Sequence, residues 1–299
     1  MKFSFPHYLL AKQSVDDRAL NRTVLETLQA NLPATHLNIV EVGAGIGSML
    51  ARLLRWQILP ASADYTLVDE MPENRRFALR WLPTWAAQNG VPVGKLAGGG
   101  LRFSGAQGVI QAHFVQADVF DYIRSAPPAV DLLIAHAFLD LLPLPASLPG
   151  LLSLVKPGGL AWLTINFDGM TAFEPPVDPA LDARLEQLFH QTMDERITNG
   201  VRSGDSRTGR HLFGYLEGAG ARLLSAGASD WLVYPQQGRY PEDEAAFLRF
   251  ILHFFETSLA GHPDLDPAQF AAWLATRRRQ VERAELVYIA HQLDFLVRV

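Results

Sequence analysis

The stretch that decides the fold is Val40-Glu41-Val42-Gly43-Ala44-Gly45-Ile46-Gly47. A short β-type run from Leu37 leads into it, and a helix pattern with apolar residues on one face follows at residues 49–54. Glycines at the end of a strand let the backbone approach a ligand closely, and the helix N-terminus behind them favours negative charge. The stretch therefore predicts a strand–loop–helix unit with a binding site at the loop. A tight turn without a ligand is the alternative.

The spacing of these glycines separates two kinds of nucleotide site. Dinucleotide-binding folds use G-x-G-x-x-G, but the sixth position counted from Gly43 is Ser48. The pattern present is E-x-G-x-G-x-G, from Glu41 to Gly47. The spacing therefore disfavours a nicotinamide-dependent oxidoreductase, which stays as a weaker hypothesis.

Strands and helices alternate from residue 37 to 167. Further buried strands are predicted at 65–69, 113–118, 131–136 and 160–166, with helix patterns or turns between them. This order predicts a parallel sheet with helices on both faces, and ligands bind outside the carboxyl ends of such strands. The predicted ends carry the glycine loop, Asp69, Asp118, His136 and Asn166.

Four features in order give the chain a family resemblance. They are the glycine loop, Asp69 at the end of the second strand, Ala117-Asp118-Val119-Phe120 at the end of the third strand, and residues 131–142, which contain the fourth strand and the segment that follows it. The turn Lys156-Pro157-Gly158-Gly159 leads into the fifth strand. From about residue 37 to 167 the sequence resembles the class I S-adenosylmethionine (SAM)-dependent methyltransferases.

The predicted fold is a Rossmann-like, doubly wound α/β domain. It has a mostly parallel seven-stranded sheet, an N-terminal helix at 14–31 and a helical cap inserted before the last strand. The Gly-rich residues 90–108 are expected to form a loop or a small hairpin insertion. We expect a single domain over residues 1–299, with a core of about 32–167, 210–235 and 285–299 and cap elements of about 170–209 and 240–284.

The resemblance implies roles at the cofactor. Asp69 would accept both ribose hydroxyls, and the two residues after it would border the adenine. Asp118 would accept from the exocyclic amine, although it can also cap the following helix. The implied cofactor residues are Glu41, Gly43, Ala44, Gly45, Gly47, Asp69, Glu70, Met71, Asp118, Val119, Phe120 and His136.

Methyl transfer from a sulfonium is an in-line displacement that needs mainly positioning, and a base is needed only for a protonated acceptor. His136 is the predicted base or acceptor-orienting residue. The alternative is a wall of the pocket or a SAM contact. Asp140, Asn166 and Asp168 are weaker candidates: Asp140 can cap or face solvent, and Asp168 can belong to the turn with Gly169.

Composition narrows the function. The 299 residues contain no cysteine and carry a formal net charge of −5, which excludes cysteine nucleophiles, thiolate metal sites and disulfides and disfavours nucleic-acid binding. No apolar run reaches the length of a membrane span, and no signal peptide or metal-ligand spacing is visible. We expect a cytoplasmic enzyme that methylates an O or N atom of a small molecule. A catalytically silent protein that binds SAM or S-adenosylhomocysteine (SAH) is the alternative.

Overall fold

The computed structural model describes residues 3–105, 108–198 and 200–299. Its strands are β1 (Leu37–Val42), β2 (Ser62–Asp69), β3 (Val93–Lys95), β4 (Leu101–Gly105), β5 (Gly108–Gln116), β6 (Val130–His136), β7 (Val155–Glu174), β8 (Ile197–Thr198), β9 (Val201–Arg202), β10 (Arg222–Ala228), β11 (Trp231–Val233) and β12 (Val287–Arg298). Its α-helices are α1 (Phe5–Ala11), α2 (Gln13–Ala19), α3 (Arg22–Asn31), α4 (Ser48–Arg55), α5 (Pro72–Gln88), α6 (Val119–Arg124), α7 (Leu148–Leu152), α8 (Pro179–Asp194), α9 (Thr208–Gly218), α10 (Glu244–Leu259) and α11 (Pro267–Glu282).

The sheet confirms the predicted α/β class. Its strands follow the order β10-β12-β7-β6-β1-β2-β5-β4-β3, and β11 pairs with β12. β1, β2, β5, β6 and β7 pair in parallel, while β12 runs antiparallel to β7 and β10. Apolar side chains of α3, α4 and α5 cover one face, and those of α6, α7 and α9 cover the other. The sheet is therefore doubly wound, with five parallel strands at its centre and antiparallel strands towards both edges.

The expected number of seven strands was wrong, because ten strands form this sheet within the described residues. Residues 90–108 do form a hairpin, and its strands β3 and β4 extend the sheet beyond β5. Ala106 and Gln107 of this insertion lie outside the described residues. Between α9 and α10, β10 and β11 pair with different parts of β12.

The N-terminal region forms three helices rather than one. Leu20 takes an extended ψ of 125° and ends α2, after which Asn21 caps α3 by accepting a hydrogen bond from the Val24 amide. The Asn21 amide donates to Asp294 of β12 at 2.8 Å. A distant carboxylate therefore helps to fix a helix boundary that the local apolar pattern does not mark.

The predicted helices before the last strand are confirmed as α10 and α11. The strands β7 and β12 continue to pair beyond the main sheet, over 171–174 and 287–290. There, aromatic side chains of the cap pack on Phe173 and Tyr288 and form a second apolar core that includes Phe247 and Trp273. The cap is thus built on the same two strands as the core. Among the helices described, none has the length and apolar character needed to cross a membrane.

Candidate functional site

A cavity of about 590 Å³ lies at the carboxyl ends of β1, β2, β5 and β6. This size falls within the range of about 300–1,000 Å³ common for small-molecule sites. Helix α1 and the hairpin of β8 and β9 complete its walls. The lining residues are Phe5, Leu9, Lys12, Glu41, Gly43, Ala44, Gly45, Ser48, Val68, Asp69, Glu70, Met71, Asn74, Ala117, Asp118, Val119, Phe120, His136, Ala137, Phe138, Leu141, Leu142, Pro143, Arg196, Thr198, Val201 and Ser203.

The cavity brings together eleven of the twelve residues that the sequence assigned to a cofactor. The exception is Gly47, which precedes α4 with a φ of +77°. A Cβ atom on Gly47 would lie 3.0 Å from Leu67 and Leu82, in the apolar core. Gly47 therefore turns the chain tightly against the core and does not face the cavity.

The glycine loop is covered by two apolar side chains. Gly43 and Gly45 have φ values of +64° and +55°, a region that favours glycine. A Cβ atom on Gly43 would overlap the ring of Phe138, and one on Gly45 would lie 2.7 Å from Leu9. The missing side chains therefore let α1 and the segment after β6 close over the loop.

Asp69 fixes the geometry of the glycine loop. One carboxylate oxygen accepts from the Gly45 amide at 2.8 Å, and the other accepts from the Met71 amide at 2.9 Å and the Asn74 amide group at 3.0 Å. Burial raises the pKa of Asp69 despite these bonds. A carboxylate has about four acceptor positions, so one remains, on the oxygen bound by Gly45. One acceptor position of Asp69 is thus left for a further donor.

Asp118 caps α6 and also lines the cavity. Its Oδ1 caps α6 by accepting from the Phe120 and Asp121 amides at 2.8 and 3.3 Å. Its Oδ2 accepts no hydrogen bond from the described part of the chain, and the residue lines the cavity beside Val119. Asp118 therefore offers a free carboxylate oxygen next to an apolar surface.

Glu41 is a buried carboxyl group on the cavity wall, with 2% of its surface exposed. Its Oε2 accepts a hydrogen bond from the Tyr65 hydroxyl at 2.7 Å. Burial raises the pKa of Glu41 to about 8, outweighing that bond. Glu41 is therefore mostly protonated at neutral pH.

His136 lies at the end of β6 in a buried polar network. Its Nε2 is 2.9 Å from Asp16 Oδ2, and its Nδ1 is 2.8 Å from the Thr164 hydroxyl. Asp16 also accepts from the Trp231 indole at 2.9 Å and pairs with Lys12 at 3.2 Å. Both imidazole nitrogens are thus occupied within the protein.

The charges in this network fix the tautomer. Burial alone would raise the pKa of Asp16, but Lys12, His136 and Arg52 hold it well below its usual range. Burial also lowers the pKa of His136 to about 4, although Asp16 opposes this. The neutral ring donates from Nε2 to the Asp16 carboxylate and accepts at Nδ1 from Thr164. No ring lone pair is left for an acceptor proton, so the geometry favours the pocket-wall alternative over a general base.

Asp140 lies beside the cavity, in the single 3₁₀ turn after β6, Leu139–Leu141. Its Oδ1 is buried and has no hydrogen-bond partner in the described structure. Burial raises the pKa of Asp140, and the charge of Arg196 opposes this rise. Asp140 is thus partly exposed as a residue, with one buried carboxyl oxygen, and it does not line the cavity.

Asp168, predicted as a weaker catalytic candidate, lies outside the cavity. β7 continues past the predicted strand end, so Asp168 lies within the strand. Its carboxylate accepts from the Arg210 guanidinium at 2.8 and 3.0 Å and from the Arg210 amide at 2.7 Å, outside the cavity. Asn166, another weaker candidate, is fully buried and donates to the carbonyls of Leu163 and Leu293.

Sequence reasoning did not assign two groups of lining residues. α1 contributes Phe5 and Leu9, and the region after α8 contributes Arg196 and Val201. The apolar positions of α1 are a weak signal of a buried face, but nothing local marks Arg196. The described residues contain no group of three or more His, Asp or Glu side chains arranged to hold a metal ion.

No protein-family model matches the chain, and the curated proteins contain no match. Solved structures do contain similar proteins. A protein of Bacillus halodurans described as a methyltransferase has 11% identity and a TM-score of 0.49, with 93% of this chain and 99% of that chain covered. YjhP of Escherichia coli has 15% identity and a TM-score of 0.48, with 97% and 98% covered.

A third similar structure is a SAM-dependent methyltransferase from Thiobacillus denitrificans in complex with SAH. It has 15% identity and a TM-score of 0.45, and the match covers 93% of this chain and 92% of that chain. Since all three identities are low, function is argued from the site itself.

Proposed function

We propose that this chain transfers a methyl group from SAM to an oxygen or nitrogen atom of a small molecule. One observation carries the proposal. The glycine loop, Asp69 and Asp118 come from three different strand ends, and a single cavity unites them. Asp118 and Asp69 offer acceptors that suit the base and the ribose of an adenosine, and the glycine loop lets the backbone approach a ligand closely.

The residues present fit SAM at specific atoms. The free Oδ2 of Asp118 suits an exocyclic amine, and Val119 and Phe120 beside it suit the face of a purine. The remaining acceptor position of Asp69 suits a ribose hydroxyl. Glu41, mostly neutral at pH 7, would ionise more readily beside a cationic ligand, because a nearby positive charge stabilises a carboxylate.

Bound SAM supplies a methyl group on a sulfonium, a good leaving group. The acceptor's lone pair would form the new bond to carbon while the carbon–sulfur electron pair stays on sulfur. The protein's part is then to hold and align the acceptor and to exclude water. Leu9 of α1 and Phe138, which cover the glycine loop, serve that exclusion.

A catalytically silent SAM- or SAH-binding protein is the second candidate. The observation that favours it is the occupation of both His136 nitrogens by Asp16 and Thr164. Among the residues described, the cavity thus presents no histidine ready to take a proton. An acceptor that is already deprotonated would need none.

The binding half of the proposal is tested by calorimetric titration with SAM, SAH and NAD. Asp118→Asn keeps an oxygen to cap α6 but replaces the free acceptor with an amide donor. We expect it to weaken SAM binding about 10- to 100-fold. Asp121→Asn, three residues away and exposed, is the matched control and should stay within two-fold. Binding of NAD but not of SAM or SAH would refute the proposal.

Asp69→Ala tests the ribose contact separately. We expect a loss of about 10- to 100-fold in SAM affinity, with some loss of stability because three donors lose their acceptor. Unchanged affinity would remove Asp69 from the binding site.

Methyl transfer itself is tested with methyl-labelled SAM and a small-molecule extract. Label appearing in an extract compound, and absent with Asp118→Asn at the same SAM concentration, supports the enzyme. Tight SAM binding without any labelled product supports the silent alternative.

A further inference from the structure

Arg196 is a cation without a protein partner on the cavity wall. It follows α8 and precedes β8, and it lines the cavity. In the described structure its guanidinium forms no hydrogen bond or ion pair, and its Nη1 atom is buried without a partner. A buried cationic donor is costly unless something pairs with it. The other lining cation, Lys12, is already paired with Asp16 at 3.2 Å.

Backbone hydrogen bonds hold the segment around Arg196 against the turn after β6. The Ser203 amide donates to the Arg196 carbonyl at 2.9 Å, and the Gly204 amide donates to the Leu142 carbonyl at 3.3 Å. A Cβ atom on Gly204 would lie 3.5 Å from Nη1 of Arg196 and 3.3 Å from the carbonyl oxygen of Asp140. Nη1 therefore lies against the turn that follows β6.

This end of the cavity is distinct from the adenosine end. In the sheet, β6 lies on the opposite side of β1 from β2 and β5, whose ends carry Asp69 and Asp118. The nearby lining residues Leu141, Leu142 and Pro143 are apolar. Arg196 thus adds one positive charge beside the apolar residues of this turn, away from the residues assigned to the nucleoside.

The polar groups near Arg196 do not neutralise it fully. The hydroxyls of Thr198 and Ser203 bond to each other at 2.7 Å. The charge of Arg196 acts to lower the pKa of Asp140, which burial raises. No ion pair within 4.0 Å joins the two side chains, and the Asp140 Oδ1 atom has no hydrogen-bond partner. The single unpaired charge of Arg196 favours a singly charged ligand group over a doubly charged one.

On the basis of the proposed function, we propose that the methyl acceptor is an apolar small molecule bearing a carboxylate, and that Arg196 binds this carboxylate. A guanidinium and a carboxylate form charge-assisted, often paired hydrogen bonds. The apolar residues of the turn after β6 would contact the remainder of the acceptor. Binding at this end places the acceptor across the cavity from Asp118 and so on the far side of the nucleoside.

The test uses the full chain with and without saturating SAH, and two matched probes, octanoate and octanamide. Binding is measured by calorimetry. We expect octanoate to bind the unmodified protein at least ten times more tightly than octanamide. Arg196→Gln should weaken octanoate binding about 10- to 100-fold and leave octanamide unchanged. Arg202→Gln, an exposed arginine of the same hairpin, is the control and should stay within two-fold.

Each other outcome has a defined meaning. Equal binding of the two probes, no binding of octanoate, or equal effects of Arg196→Gln and Arg202→Gln would overturn the proposal. Competition by inorganic phosphate as strong as that by octanoate would overturn the choice of carboxylate. Should Arg196→Gln fail to fold, Arg196→Lys and the two probes on the unmodified protein decide. Absence of SAH binding would refute the proposed function, while the SAH-free probe titrations would still test Arg196.

Discussion

Replacing Glu41 with glutamine asks whether one buried carboxyl group limits stability at neutral pH. Glu41 is almost fully buried, and burial raises its pKa from 4.5 to about 8. Glutamine has nearly the same shape and keeps an oxygen that accepts the hydrogen bond from Tyr65, but it cannot ionise. The substitution therefore removes the ionisation while keeping the packing.

The sign and size of the effect follow from proton linkage. A carboxyl group with a raised pKa binds more protons in the folded chain than in the unfolded chain, so the free energy of unfolding falls as pH rises. For Glu41 this loss begins near pH 4.5 and is complete near pH 8. At 1.36 kcal/mol per pH unit, the full loss is about 5 kcal/mol. This value is an upper limit, because the folded chain can relax around the charge.

The assay is urea unfolding of the unmodified protein and Glu41→Gln between pH 4.5 and 8.5. We expect free energies of unfolding within about 1 kcal/mol of each other at pH 4.5. At pH 8.5 Glu41→Gln should be more stable by about 2–5 kcal/mol. Other buried acids such as Asp294, whose pKa is raised to about 6 by burial, are common to both proteins and cancel in the difference.

Glu26→Gln on the exposed face of α3 is the control and should change stability by less than about 0.5 kcal/mol at every pH. A difference between Glu41→Gln and the unmodified protein that stays constant from pH 4.5 to 8.5 would refute the reasoning, because Glu41 would then ionise equally in both states.

Three further predictions concern the cavity and its surroundings. Gly43→Ala should lower the free energy of unfolding by about 2–5 kcal/mol, because its methyl group would overlap Phe138 in addition to straining the backbone. Gly90→Ala, with a similar φ and no atom within 4 Å, should lower it by only about 1–2 kcal/mol. Equal losses for the two variants in urea unfolding would contradict this prediction. The imidazole of His136 should stay neutral in ¹⁵N NMR down to about pH 5. Its contribution to the free energy of unfolding should be complete above pH 6.5 and be lost as the pH falls towards 4. Titration of His136 near pH 6.5 would instead show that the imidazole is accessible to solvent. Asp168→Asn should lower the melting temperature but keep SAM affinity within two-fold of the unmodified protein. A tenfold loss of SAM affinity would indicate that Asp168 belongs to the binding site.

The strand ends were the most predictable part of the site. Short β-type runs that end in glycine or aspartate mark β1, β2 and β5, and the parallel order then brings Asp69 and Asp118 together without further information. Asp168 shows where this reasoning fails. It was expected just beyond the end of a strand, but pairing with β12 extends β7 to Glu174, and no local pattern records that pairing.

The chemistry of His136 was less predictable than its position. Its partners are 120 residues before it and 28 residues after it, at Asp16 and Thr164. Arg196 likewise reaches the cavity only because a hairpin remote in sequence folds over the turn after β6. Both depend on long-range contacts, which periodicity and spacing do not contain.

The position of β12 has a consequence for how this chain is made. Among the strands described it is synthesised last, yet it lies between β10 and β7 in the sheet. Until residues 287–298 leave the ribosome, β7 and β10 each present an open edge that can pair with another chain. We therefore expect nascent chains stalled before residue 287 to aggregate or to engage chaperones, and the sheet to close only after residue 298 has been synthesised.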